Sequence, residues 1–345
     1  MNDKSNILKI IKSGYFDYLY YYNNRPDVLA AGVDGALHYL QQGWREGSNP
    51  SQYFSNELYL KKNKTDICPL LDYINNGCVG NYGILEKHKK RREYDIIYSI
   101  GRDCACSFYL QTNKLRTTSG PMDWITTADF KQRFDMLLTN FKDFMNPEYF
   151  EFLEKNPNIA NDDKCDYYRN TKTGFDFYHD FPVGVPFSES FPSVAEKYNR
   201  RINRFYKNIK ENKKVLLIWF SHYTDTNNKT IVNLCNKFCK HVNKKIDFLI
   251  IEHTEKLFIP KKTILAKNIT KYNLHTRDLT GQDPVNGNKL LVNTIFQKYK
   301  IKDNIIHKPT NKLLWFQTHV LCSLIPVRKW RRNARRHIAR NYTTH

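Results

Sequence analysis

Several absences narrow the class of this protein before any motif is considered. No run of about 18 apolar residues occurs, so nothing in the sequence is expected to span a bilayer. The stretch from Met1 to Lys12 lacks the apolar centre and small-residue cleavage site of a secretory signal. The expected location is therefore cytoplasmic, peripheral at the inner face of the cell membrane. There is no Cys-x-x-Cys pair, which argues against structural zinc. There is no glycine-rich phosphate loop, which argues against a glycosyltransferase binding a nucleotide sugar. The eight cysteines (Cys68, Cys78, Cys104, Cys106, Cys165, Cys235, Cys239 and Cys322) follow no disulfide rhythm and read as reduced thiols. No metal or cofactor is expected. No acidic residue follows Asp303.

What is present is a chain of 345 residues, 41% hydrophobic and 14% aromatic, which suits a folded rather than a disordered protein. Its net charge of +21 favours anionic partners, although scattered lysines also serve simply as solvated faces. The charge is not accompanied by a nucleic-acid recognition fold, so no nucleic-acid partner is expected. The sequence does not define an oligomeric state.

The chain is organised around Tyr94 to Leu110. Ile96 to Ile100 is short, apolar and β-branched, as a buried strand is. Gly101 interrupts it, Asp103 suits a helix N-cap, and a helix is expected from Cys104. A thiol in a first helical turn feels the positive end of the dipole and nearby N–H groups, and both stabilise the nucleophilic thiolate. Further on, Val215 to Phe220 is a wholly apolar run and Ile246 to Ile251 a second, largely apolar one, each read as a buried strand, with an amphipathic helix, Lys229 to Val242, between them. That strand–helix–strand order predicts a parallel pair and an α/β fold, with α+β as the alternative. His222 lies just past the first of these strands, where α/β sites form, and His253 ends the second. Asp123 and Trp124 are expected to start a helical segment. Residues 145 to 175, polar and aromatic, read as a substrate-facing excursion. His179 lies in an aromatic run, Phe175 to Pro182.

Ser99-Ile100-Gly101-x-x-Cys104, followed by Leu115-Arg116-x-x-Ser119-x-Pro121-Met122-Asp123-Trp124, resembles the motif of a bacterial family of papain-like cysteine peptidases, with Met122 where that family has Phe. Phe177-Tyr178-His179-Asp180-Phe181 resembles the family's His-Asp segment. The resemblance covers roughly residues 93 to 290. It implies Cys104 as nucleophile, His179 as base, and a later aspartate such as Asp278 to orient the imidazole. His222, Asp180, Asp123 and Trp124 are the alternative catalytic or pocket residues.

Residues 13 to 80 form an imperfect repeat, in which Phe16 corresponds to Phe54 and Tyr39 to Tyr73. It resembles a small helical repeat attached to bacterial glycosyltransferases and surface-polysaccharide proteins. At the other end, the apolar stretch Leu313 to Val327 precedes Arg328, Lys329, Arg331, Arg332, Arg335 and Arg336, a pattern suited to an anionic membrane surface. The expected organisation is a helical module (1–88), a sheet-centred cysteine-enzyme domain (89–310) and a basic amphipathic tail (311–345). The expected activity is cysteine-dependent hydrolysis or acyl transfer on a glycan or peptide in cell-envelope polysaccharide metabolism. The alternative is a non-catalytic assembly protein.

Overall fold

The computed structural model describes residues 3–85, 91–154, 165–224, 226–255, 259–275 and 289–302. The chain divides into two units, Met1–Ile301 and Lys302–His345, and the architecture below belongs to the first. Asp278 and the basic residues from Arg328 to Arg336 lie outside the described residues.

Six short α-helices come first: α1 (Asp3–Ser13), α2 (Tyr18–Asn24), α3 (Pro26–Ala30), α4 (Gly35–His38, continued by a π-helical turn, Tyr39–Gly43), α5 (Asn56–Leu60) and α6 (Pro69–Asn75). Asp17, Asp34 and Ser55 cap α2, α4 and α5 by accepting backbone N–H bonds. Rings fill the space between these helices, with Phe16, Tyr21, Tyr39, Phe54 and Tyr73 all buried. A Cβ at Gly43 would sit 2.0 Å from the Tyr21 hydroxyl, so only glycine admits that ring.

Strands β1 (Arg92–Tyr94) and β2 (Ile96–Ser99) lead into α7 (Cys104–Thr112), β3 (Ile125–Thr126) and α8 (Phe130–Leu138). Then come β4 (Phe150–Glu154), β5 (Cys165–Asn170), β6 (Phe175–Pro182) and the long α9 (Phe187–Glu211). The last part holds β7 (Val215–Ser221), α10 (Asn228–His241), β8 (Asp247–Thr254), β9 (Lys261–Ala266), β10 (Ile269–His275), α11 (Lys289–Phe296) and β11 (Tyr299–Ile301). The central sheet has the order β2-β7-β8-β10-β9. Its first four strands are parallel, and β9 runs antiparallel on β10. This is the α/β architecture that the two apolar runs predicted, with α10 as the connection between parallel neighbours.

Both faces of this sheet are covered, which is why β7 is buried at every position. Side chains alternate across the sheet. Leu216, Ile218 and Phe220 join a core with the amino-terminal helices, α7 and α11. Val215, Leu217 and Trp219 join a second core with α8, α9 and α10. A separate antiparallel sheet, β3-β6-β5-β4, packs into the second core through Phe175, Phe177 and Phe181.

One local expectation fails. Asp123 and Trp124 do not start a helix: they enter strand β3, because β-branched Ile125 and Thr126 pair with Phe177 and Asp176. Most of the described part of residues 145–175 is strand, β4 and β5, whose mixed burial gives no clean alternation for the sequence to display.

Candidate active site

The site begins where β2 ends. Gly101 runs so close to β7 that a Cβ there would lie 3.2 Å from the backbone N and O of Phe220 and 2.8 Å from the Cys106 Cβ. That close approach requires glycine. The Arg102 N–H donates to the Phe220 carbonyl at 2.9 Å, so β7 guides the chain beyond the end of β2. Asp103 then caps α7, with its Oδ1 accepting the Ala105 N–H at 2.8 Å. Cys104 is the first residue of the helix and is half-buried. Its neighbour Cys106 is fully buried with its thiol pushed up to about 12, chiefly by desolvation, and packs as a core residue.

The parallel strand ends bring histidines to the same edge. His222 follows β7, and its Nε2 lies 3.3 Å from Asp103 Oδ2. The approach is an ion-pair distance without hydrogen-bond alignment. One carboxylate thus caps the helix with one oxygen and faces an imidazole with the other. The His222 ring is stacked on His253, centroids 5.7 Å apart, and meets Phe220 edge-on at 5.2 Å. His253 is buried, and burial pushes its imidazole down to about 4. Its Nδ1 lies 2.8 Å from the Ser221 carbonyl, which can only accept, so Nδ1 carries the proton of the neutral ring. Beside it on β8, Glu252 forms a buried ion pair with Lys271 at 2.7 Å.

The motif after α7 forms a clasp. Asp123 Oδ2 accepts from Arg116 Nε at 3.0 Å, Arg116 Nη2 at 2.7 Å and the Gly120 N–H at 2.9 Å. Arg116 Nη2 also donates to the Ser119 hydroxyl at 2.9 Å. Asp123 is buried, and its Oδ2 is committed to this clasp. Trp124 stands beside the clasp, with the Arg116 guanidinium 5.5 Å from its ring and the His179 ring edge-on at 5.9 Å. His179 is exposed on β6. Asp180 points to the other face of the strand, where Lys197 and the Tyr198 hydroxyl hold it, the latter at 2.7 Å.

Arg133 links the two groups of residues. It is fully buried, and its Nη2 donates to the carbonyls of Arg102 at 2.6 Å and Ile125 at 2.9 Å, while Nε donates to Ala128 at 3.0 Å. The turn before Cys104 and the strand after Trp124 therefore meet on one guanidinium. Sequence reasoning passed over Arg133. The available signal was a cation at a position flanked by Phe130, Phe134 and Leu137, on the apolar face of α8.

These elements define an α/β protein with a half-buried thiol at a helix start and imidazoles at the carboxyl edge of a parallel sheet. Residues 95–255 match the family described as "putative papain-like cysteine peptidase". The uncharacterized protein R408 of Acanthamoeba polyphaga mimivirus is 26% identical over 134 residues, which is 36% of this chain and 60% of that protein. The chain thus spans less than two thirds of this relative's length. No solved structure matches the chain. Among the described residues, no helix is long and apolar enough to cross a membrane.

Proposed function

We propose that this chain is a cysteine-dependent hydrolase or acyltransferase in which Cys104 is the nucleophile and His222 the base. The observation that carries this reading is the contact between His222 Nε2 and Asp103 Oδ2, next to a thiol at the start of α7. With Nε2 turned to the carboxylate, Nδ1 is the nitrogen left to take the thiol proton. The thiolate then adds to an acyl carbon, and the α7 dipole and first-turn N–H groups offset charge on the oxyanion. The imidazolium returns the proton to the leaving group, and a thioester remains. Water or an acceptor hydroxyl releases it, with His222 again as base. Proposed substrates are glycans or peptides of the cell envelope, on the resemblance of the amino-terminal module and the cationic composition.

A second reading takes His179 as the base. It is supported by the family resemblance and by the Arg133 tie that draws the Trp124 strand to the Cys104 turn. A model acyl donor decides between them. p-Nitrophenyl acetate should acetylate Cys104, as read by peptide mass spectrometry. His222→Ala should slow this by about 10²-fold, in the range of general-base losses, and His179→Ala by much less. The reverse order assigns His179. Absence of acetyl-Cys104 in the unaltered protein would remove the enzyme reading.

A further inference from the structure

A cavity of about 990 Å³ opens between the amino-terminal helices and the edge of the central sheet, by the carboxyl end of α7. Cys104 occupies the opposite end of that helix, so the cavity is separate from the thiol site. Its wall carries Lys12 from α1, Lys114 after α7, Lys261 and Lys262 from β9, and Arg91 and Arg92 at β1. Lys298 is the seventh cation, and it is matched to the one carboxylate of the wall, Asp17, at 2.8 Å. The whole chain has 55 basic against 34 acidic residues, so a wall of seven against one is a local bias and not the average composition. Lys12, Arg91, Arg92, Lys114 and Lys261 have no carboxylate partner among the described residues. Like charges converging on a concave surface raise its potential and concentrate anions there.

The rest of the wall distinguishes among anions. Asn23 spends its amide nitrogen on the carbonyls of Leu19 at 2.6 Å and Pro260 at 3.1 Å, and Asn24 spends its own on Tyr20 at 2.8 Å. Asn23 is left with its carbonyl oxygen and Asn24 with its carbonyl oxygen and one N–H, groups that pair with hydroxyls. Gln52 and Gln297 add two more amides at the wall, neither with a side-chain hydrogen bond among the described residues. Tyr272, with the Lys262 ammonium 6.0 Å from its ring centroid, supplies an apolar floor. Cations, hydroxyl acceptors and aromatic floor together suit a ligand that is anionic and rich in hydroxyls. The volume lies at the upper end for small-ligand sites and admits more than one sugar unit.

We propose that this cavity binds an acidic oligosaccharide, one whose sugar rings carry carboxylates. The site does not depend on Cys104 chemistry, and its test uses the full chain bearing Cys104→Ala so that binding is read without turnover. Calorimetric titration with a galacturonate oligomer should show binding that weakens as NaCl rises from about 50 to about 500 mM. A neutral glucose oligomer of the same length should bind at least about tenfold more weakly. The double variant Lys261→Glu with Lys262→Glu, on an exposed edge strand, should weaken galacturonate binding by about tenfold or more while its thermal melt stays unchanged. Lys114→Glu, on another wall, should act in the same direction. Equal binding of acidic and neutral oligomers would overturn the proposal. So would unaltered affinity in folded charge-reversal variants, or tighter binding of a single-stranded oligonucleotide than of the galacturonate oligomer.

Discussion

Iodoacetamide labelling of the cysteines offers the most direct check on Cys104, because the structure ranks its competitors. The thiolate is the reacting species. A free thiol of pKa about 8.5 is roughly 3% thiolate at pH 7. Cys106, with its thiol pushed up to about 12, is ionised to only about one part in 10⁵. That is a deficit of about 3,000-fold. Part of it returns, because a more basic thiolate is the better nucleophile. With a Brønsted slope of about 0.4–0.5, the gain is about 30- to 50-fold. The net deficit is on the order of 10², before counting that Cys106 is fully buried. Burial likewise raises the thiols of Cys68, Cys235 and Cys239. Cys78, exposed after α6, is the useful internal standard for an ordinary accessible thiol.

Cys104 is half-buried, so on access alone it should label more slowly than Cys78. A helix start that stabilises its thiolate should reverse that order at pH 7. The expected outcome is Cys104 at least as fast as Cys78 and about 10²-fold or more faster than Cys106. The readout is residue-resolved mass spectrometry over time. Cys104 slower than Cys78, or within tenfold of Cys106, would show that the first turn of α7 does nothing for the thiol, and the nucleophile assignment would fall.

Two stability predictions accompany it. His253 has a folded-state value near 4 against an ordinary value near 6.5, so between these the unfolded chain binds the extra proton and stability rises with pH. The contribution is complete above about pH 6.5 and is lost as pH falls toward 4, about 3 kcal/mol in all. Urea melts of the unaltered protein and His253→Gln between these limits should diverge by that dependence, and parallel curves would contradict it. Arg133→Met should cost about 3 kcal/mol by urea denaturation, because it strands the carbonyls of Arg102, Ile125 and Ala128 in the interior. Arg133→Lys should restore only part of this, since one ammonium cannot span the three acceptors. Full recovery would mean that only the charge matters.

How much of this was legible in the sequence follows from how far apart the interacting residues lie. The strand, the turn at Gly101 and the helix from Cys104 are contiguous, and their signals are local: a β-branched run, a glycine, an aspartate cap. The parallel pair β7 and β8 is legible for the same reason, since a single stretch, Val215 to Thr254, holds both strands and their connecting helix. The link between Asp103 and His222 is of another kind. It depends on β2 lying beside β7 in one register, with Ser99 opposite Ile218, so that the residues four beyond each paired position come together. Nothing near Asp103 encodes that register. It is set by which apolar faces of two segments, more than a hundred residues apart, share the two cores of the sheet. A slip of one residue would turn Leu216, Ile218 and Phe220 to the other core and carry His222 away from the helix start. The approach of His222 to Asp103 is therefore a consequence of sheet packing, and, on the proposed role of His222, substitutions in the β2–β7 contact should slow acetylation of Cys104 without touching any residue of the site.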